Sequence, residues 1–231
     1  MSFMGCLHKF ARMDTSPRTV IFGAGSIGQH FLQQFAPMAV DAVTLVDGDR
    51  VEATNIGRQP ICGPGDIGRS KVQVVAAWCR RVWPELMFGT VDAFAGPENI
   101  ASMLCGHDLA VDCTDDLHAR LLIDRACSQA GVPLLSGAVH GAQGQVVLLD
   151  RTMAGVGLGD LFPGRASSEQ DGCDMHDVPD ALLRSVAAAM CDRVRSLLSG
   201  TDPRFGWTEL IDHPSGQRFL IAPPTVLMPN T

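Results

Sequence analysis

The chain of 231 residues has no run of about 18 uncharged apolar residues, the length an α-helix needs to cross a bilayer, so no membrane span is expected. Its eight cysteines form no Cys-x-x-Cys pair, which removes the usual zinc and redox spacings and predicts no zinc site. A basic run is missing too. With 18 Lys+Arg against 25 Asp+Glu the net charge is −7, a poor match for nucleic acid or an anionic membrane surface. Met1 to Arg12 lacks both a continuous apolar core and a small-residue cleavage site. No signal peptide is expected, and reduced thiols in the cytoplasm follow as the default. Internal repeats and low-complexity tracts are absent.

What remains is ordinary core material. Hydrophobic residues make up 46% and charged residues 19%, which excludes wholesale disorder. Thr19-Val20-Ile21-Phe22 reads as a buried strand that stops at glycine, and Ser26 to Ala36 as a helix with Ile27, Phe31, Leu32 and Phe35 on one face. A strand at 43–46, a helix at 68–82, a strand at 109–111, a helix at 117–130 and strands at 133–136 and 145–149 continue the alternation. Such alternation predicts an α/β fold: a Rossmann-like, open, mostly parallel sheet with helices on both faces. From Asp150 to Val178 the pattern lapses into glycine and polar residues. Helical spacing returns at Pro179 to Ser199, with Leu183, Val186, Met190, Val194 and Leu197 as the apolar stripe and Arg184, Arg193 and Arg195 on the solvated face. Trp207 to Ile211 and Gln217 to Ile221 read as a terminal hairpin. The expected organisation is a leader (1–17), a nucleotide-binding core (18–149), a crossover loop (150–178), and a helix and hairpin (179–231) completing the same domain.

Gly23-Ala24-Gly25-Ser26-Ile27-Gly28 follows a strand and opens a helix. There the glycines let backbone approach a phosphate, and the helix N-terminus attracts the anion. Asp47 ends the next strand, where a carboxylate can bond ribose hydroxyls. Asp49, Asn55, Arg58, Gln59 and Lys71 come next, and Asp115 lies just past a later strand. In an open α/β sheet the carboxyl ends of the strands meet at one crevice, so these groups should converge. Cations and carboxylates around a nucleotide suit phosphate chemistry better than hydride transfer. Singly, each residue has a bland reading: Arg58 or Lys71 as a solvated charge, Asp115 as a helix N-cap.

The chain resembles the MoeB/ThiF/HesA superfamily, the activating enzymes of ubiquitin-like and sulfur-carrier proteins. The resemblance rests on the glycine motif, Leu45-Val46-Asp47-Gly48-Asp49, Thr54-Asn55-Ile56-Gly57-Arg58-Gln59, Asp66-Ile67-Gly68-Arg69-Ser70-Lys71, Asp112-Cys113-Thr114-Asp115-Asp116, Ser136-Gly137-Ala138 and Gly144-Gln145-Val146. It covers about residues 18–150 well and 172–221 loosely. It implies ATP bound at Gly23, Gly25, Ser26 and Gly28, its ribose at Asp47, its phosphates at Asn55, Arg58 and Lys71 with Asp49 and Gln59 beside them, and Mg²⁺ at Asp115. The implied reaction adenylates the C-terminal carboxylate of a small β-grasp carrier protein or peptide, within a homodimer or heterodimer. Gly57 and Asp116 depart from the family, which often has Asn at both places; Asp116 adds negative charge near the metal.

Some family members pass the activated acyl group to a loop thiol, and Cys173 stands at that place, with His176 nearby as a base. An unreactive loop cysteine is one competing reading, because Glu169, Asp171, Asp174 and Asp177 disfavour a thiolate, and a disulfide or persulfide link in a sulfur pathway is another. Cys62, Cys79, Cys105, Cys113, Cys127 and Cys191 read mostly as small core residues, and His30, His118 and His140 as helix-surface or loop residues. The alternatives are activation of a small-molecule or tRNA-linked carboxylate, as in threonylcarbamoyl-adenosine dehydratases, a non-catalytic partner subunit, and an NAD-dependent oxidoreductase.

Overall fold

The computed structural model describes residues 17–38, 42–162 and 178–224. Its frame is an eight-stranded sheet in the order β3-β2-β1-β4-β5-β6-β7-β8. The strands are β1 (Arg18–Phe22), β2 (Ala42–Val46), β3 (Met87–Val91), β4 (Leu109–Asp112), β5 (Leu134–His140), β6 (Gln143–Leu149), β7 (Thr208–Asp212) and β8 (Gln217–Ile221). From β3 to β5 every pairing is parallel, and from β5 to β8 every pairing is antiparallel. The helices are α1 (Ser26–Phe35), α2 (Lys71–Val82), α3 (Ile100–Leu104), α4 (Leu117–Ala130), α5 (Arg151–Ala154), α6 (Leu158–Leu161) and α7 (Asp180–Leu198). Among the described residues no helix is long and apolar enough to cross a membrane.

The central strands are apolar on both faces because both faces are covered. Side chains alternate across a strand, so Ile21 enters the cluster under α1, α2 and α7, while Val20 and Phe22 enter the opposite cluster under α3 and α4. Leu109 and Val111 take the first face and Ala110 the second. On α7, Leu183, Val186, Met190, Val194 and Leu197 are all buried, as their spacing predicts.

Several expectations need correction. β3 and α3 have no counterpart in the sequence reading: β3 is an edge strand whose burial is intermediate or low throughout, so it carries no apolar run. The lapse after residue 149 is not all loop. Residues 151–161 form two single-turn helices, α5 and α6, with Val156 and Leu158 buried. Arg193 is not solvated; its side chain is buried, donates from Nη1 to the Pro203 carbonyl at 3.3 Å and lies 3.7 Å from Glu209. Cys105 is exposed, whereas Cys62, Cys79, Cys113, Cys127 and Cys191 are buried. Desolvation raises the pKa of all five, with Cys79 and Cys191 pushed up to about 12, so these thiols stay protonated and inert.

His30 is buried, not on the surface, and its Nε2 lies 2.9 Å from Asp180 Oδ1, which joins α1 to the start of α7. Burial lowers its pKa; Asp180 opposes that shift, and Arg184 adds to it. The fold therefore prefers the neutral ring. As pH falls below about 6.5 the unfolded chain takes up a proton that the folded chain resists, and stability declines. Urea titrations at pH about 7.5 and about 5.5 should show this loss, and His30→Gln should make it shallower. An unchanged slope in the variant would assign the loss elsewhere.

Candidate active site

The sheet order reverses between β1 and β4, so the segments leaving β1, β2 and β4 line one crevice at the strands' carboxyl ends. The glycine loop leaves β1. Gly23 has φ +98°, and a Cβ there would lie 2.7 Å from the Cys113 carbonyl oxygen. A Cβ on Gly28 would lie 2.0 Å from the Gly23 carbonyl. Both positions need glycine, one for the turn and one for contact between helix and loop. Around Gly25 a Cβ would meet nothing within 4 Å, which leaves backbone open to a ligand. Gly25 is also the N-cap of α1, no side chain among the described residues caps that helix, and Ser26 opens it. Its first amides are therefore free of side-chain acceptors, as phosphate binding requires.

Asp47 leaves β2 and is 9% exposed. Its Oδ2 accepts from the Ala24 amide at 2.6 Å, and its Oδ1 from the Asp49 amide at 2.7 Å. The carboxylate thus latches the glycine loop to the end of β2. Desolvation raises its pKa, while the two amides and Lys71 pull it down. Asp49 in turn holds Lys71: the ammonium donates to Asp49 Oδ2 at 2.7 Å, and the Lys71 amide donates to the Asp49 carbonyl at 3.1 Å. Lys71 is buried as the first residue of α2, with two ammonium protons left for other acceptors.

Between β2 and α2 the chain makes a 3₁₀ turn, Ala53–Asn55, in which Asn55 Oδ1 accepts from the Glu52 amide at 2.9 Å. Gly57 follows with φ +95°, which explains glycine where the family often has Asn. Next comes Arg58. Its Nε and Nη1 are buried and have no hydrogen-bond partner among the described residues. Arg58 itself is half-buried, and buried guanidinium nitrogens with idle donors are costly unless a ligand satisfies them. Gln59 is buried and turns its amide oxygen inward to Gln29, at 3.2 Å from Gln29 Nε2.

β4 delivers the remaining carboxylates. Asp112 is fully buried and accepts from Thr114 Oγ1 at 2.6 Å, Ser136 Oγ at 2.8 Å and Arg120 Nε at 2.9 Å. Arg120 Nη2 also donates to Ser136 Oγ at 2.6 Å and to the Gly137 carbonyl at 3.1 Å. Helix α4 is capped by Asp116, whose Oδ1 accepts from the Ala119 amide at 2.7 Å, so the N-cap reading belongs to Asp116 and not to Asp115. Asp115 is exposed, with no hydrogen bond or ion pair to a described residue. It lies two residues beyond Cys113, which touches the glycine turn. A free carboxylate there fits Mg²⁺, which needs one or two protein carboxylates and takes its other ligands from phosphates and water. No cluster of three or more metal-binding side chains occurs among the described residues.

Sequence reasoning missed Gln29, Arg120 and Phe94. Gln29 and Arg120 sit on helices, where nothing in their spacing marks them. Phe94 is exposed, yet its ring lies against Gly48, where a Cβ would be 2.7 Å away. Cys173, His176 and the acidic residues around them lie outside the described residues.

The Rossmann-like sheet, its glycine-loop crevice and the cations beside it form an arrangement suited to the phosphates of a nucleotide. The ThiF family model matches residues 7–220, and the chain belongs to the ThiF family. It is 33% identical over 134 residues to the SAMP-activating enzyme E1 of Haloferax volcanii, covering 58% of this chain and 50% of that protein. It is 29% identical over 191 residues to the probable adenylyltransferase/sulfurtransferase MoeZ of Mycobacterium tuberculosis, covering 79% of this chain and 48% of that protein. The chain spans about half the length of the curated relatives it matches. Among solved structures, Escherichia coli MccB crystallised with ATP superposes with a TM-score of 0.77 at 16% identity, over 94% of this chain and 66% of that one, which shows a shared fold.

Proposed function

We propose that this chain is an ATP-dependent adenylyltransferase that activates the C-terminal carboxylate of a small β-grasp carrier protein or peptide. The observation that carries this reading is Arg58: buried guanidinium donors with no partner among the described residues, in a segment held against a glycine loop whose helix has no side-chain cap there. The names of its relatives, an E1-type activating enzyme and an adenylyltransferase, support the same reaction.

The chain's own groups meet the demands of that chemistry. The glycine loop and the first turn of α1 receive phosphate. Asp47 keeps lone pairs for ribose hydroxyls beside its two amide bonds. Arg58, Lys71 and the amide of Asn55 offset charge on the phosphates. Asp115 would hold Mg²⁺, which supplies further charge neutralisation when bound. The incoming carboxylate is already ionised at neutral pH, so no general base is required. Its oxygen forms a bond to the α-phosphorus, the bond from that phosphorus to the bridging oxygen breaks, and the electron pair leaves with pyrophosphate. Positioning and charge stabilisation are the remaining requirements. The site works within a homodimer or heterodimer, the expectation that the resemblance carries.

The test is ATP–pyrophosphate exchange by purified protein, with and without β-grasp carriers ending in glycine. Carrier-dependent exchange supports the reading. ATP binding without exchange under any carrier points to a partner subunit, and exchange driven by a small acid or a tRNA-linked carboxylate points to the other branch. Cys173→Ala should leave exchange intact and remove only a thiol-sensitive acyl adduct. Loss of exchange in that variant would overturn the separation of adenylation from thiol transfer.

A further inference from the structure

Gln29 is 1% exposed and sits one residue beyond the glycine motif, on the first turns of α1. A buried primary amide must satisfy two donors and an oxygen, and this one does so across two loops that share no backbone hydrogen bond. Its Nε2 donates to the Ala24 carbonyl at 2.9 Å, inside the glycine loop. The same nitrogen donates to Gln59 Oε1 at 3.2 Å and lies 3.3 Å from Cys62 Sγ. Its Oε1 accepts from the Ile61 amide at 2.9 Å. Ala24 is itself tied to Asp47 by its amide. One side chain therefore links the phosphate-facing loop, the end of β2 and the segment that follows Arg58.

We propose that Gln29 is the positioning residue that holds the Arg58 segment against the glycine loop, so that the Arg58 guanidinium is preset for the nucleotide's phosphates. This rests on the adenylyltransferase reading and adds a specific route of action to it. Local turn bonds from the Arg58 and Gln59 amides to the Asn55 carbonyl shape the Arg58 segment. Its apolar anchors are Ile56 and Ile61 on a small cluster of Val51, Cys62 and Val74, with Ile61 also packed on the main core. Among the described residues Arg58 makes no hydrogen bond through Nε or Nη1. The links from Gln29 to Gln59 and Ile61, which flank Pro60, add the polar constraint that ties this segment to the glycine loop. A guanidinium ordered in advance binds phosphate without paying for its own ordering.

A thermodynamic cycle tests this, read as ATP affinity by calorimetry on the full chain. Gln29→Met keeps length and apolar volume but removes the bonds to both loops. It should weaken ATP about tenfold, the size expected when such hydrogen bonds are lost. In the Arg58→Ala background the same substitution should change ATP affinity less than about twofold, because the group it positions is gone. A merely structural Gln29 would weaken ATP equally in both backgrounds, and that result overturns the proposal; so does wild-type affinity in Gln29→Met. If Gln29→Met does not fold, Gln29→Glu serves in the same cycle, since it retains the acceptor for the Ile61 amide. ATP binding by the wild-type chain with independent effects defeats only this proposal. No ATP binding by the wild-type chain defeats the adenylyltransferase reading and this proposal together.

Discussion

Arg58→Ala should lower ATP–pyrophosphate exchange by about 10²–10³-fold, the loss seen when one preorganised donor to a developing charge is removed. It should do so at almost no cost to the fold. Nε and Nη1 make no hydrogen bond among the described residues, so truncation breaks none there and relieves two buried donors of an unmet demand. The thermal midpoint of the variant should stay within about 3 °C of wild type, given about 2–4 °C per kcal/mol in a chain of this size. A loss of activity with unchanged stability is the mark of a group kept for a ligand. If exchange persists while the midpoint drops by several degrees, Arg58 is a structural residue and the proposed phosphate site loses its main support.

That separation between ligand-facing and fold-facing groups also explains how much could be read from sequence. The placement of the glycine loop, Asp47 and Asp115 around one crevice is legible because it depends on place in the chain: the loop and Asp47 follow directly on buried strands, Asp115 lies three residues beyond β4, and the strand ends meet at a switch point. The helix at 117–130 was legible to the residue, its C-terminus marked by Gly131 in the left-handed region. β3 was not, because an edge strand with half-exposed residues lacks the apolar run that signals burial. Gln29 and Arg120 were not, because their partners are distant in sequence: Gln29 reaches Gln59 across 30 residues and Arg120 reaches Ser136 across 16. No local pattern encodes such a bond. Arg193 failed for a related reason. Helical periodicity put it on the polar face of α7, but Glu209 on β7 and the Pro203 carbonyl cover that face.

Arg120→Met should be the most destabilising of these substitutions. Asp112 is wholly buried, and Arg120 is the cation that pairs with it, at 2.9 Å with its own side chain only 12% exposed. Removing one partner leaves an uncompensated buried carboxylate, which typically costs about 3–5 kcal/mol. The hydroxyls of Thr114 and Ser136 and the Thr114 amide still donate to Asp112 and hold the loss toward the lower end. At about 2–4 °C per kcal/mol the midpoint should fall by roughly 6–15 °C. The effect should reach the site as well, because Asp112 begins the turn that ends at Asp115, so exchange by the surviving folded protein should demand more Mg²⁺. The decisive control is the double variant Asp112→Asn with Arg120→Met. With the charge gone from both partners, the stranded carboxylate no longer exists, and the double variant should be more stable than Arg120→Met alone. If the two losses simply add, the cost lies in packing around Arg120 rather than in the buried ion pair, and its hold on the Asp115 turn would have to be explained by shape instead of charge.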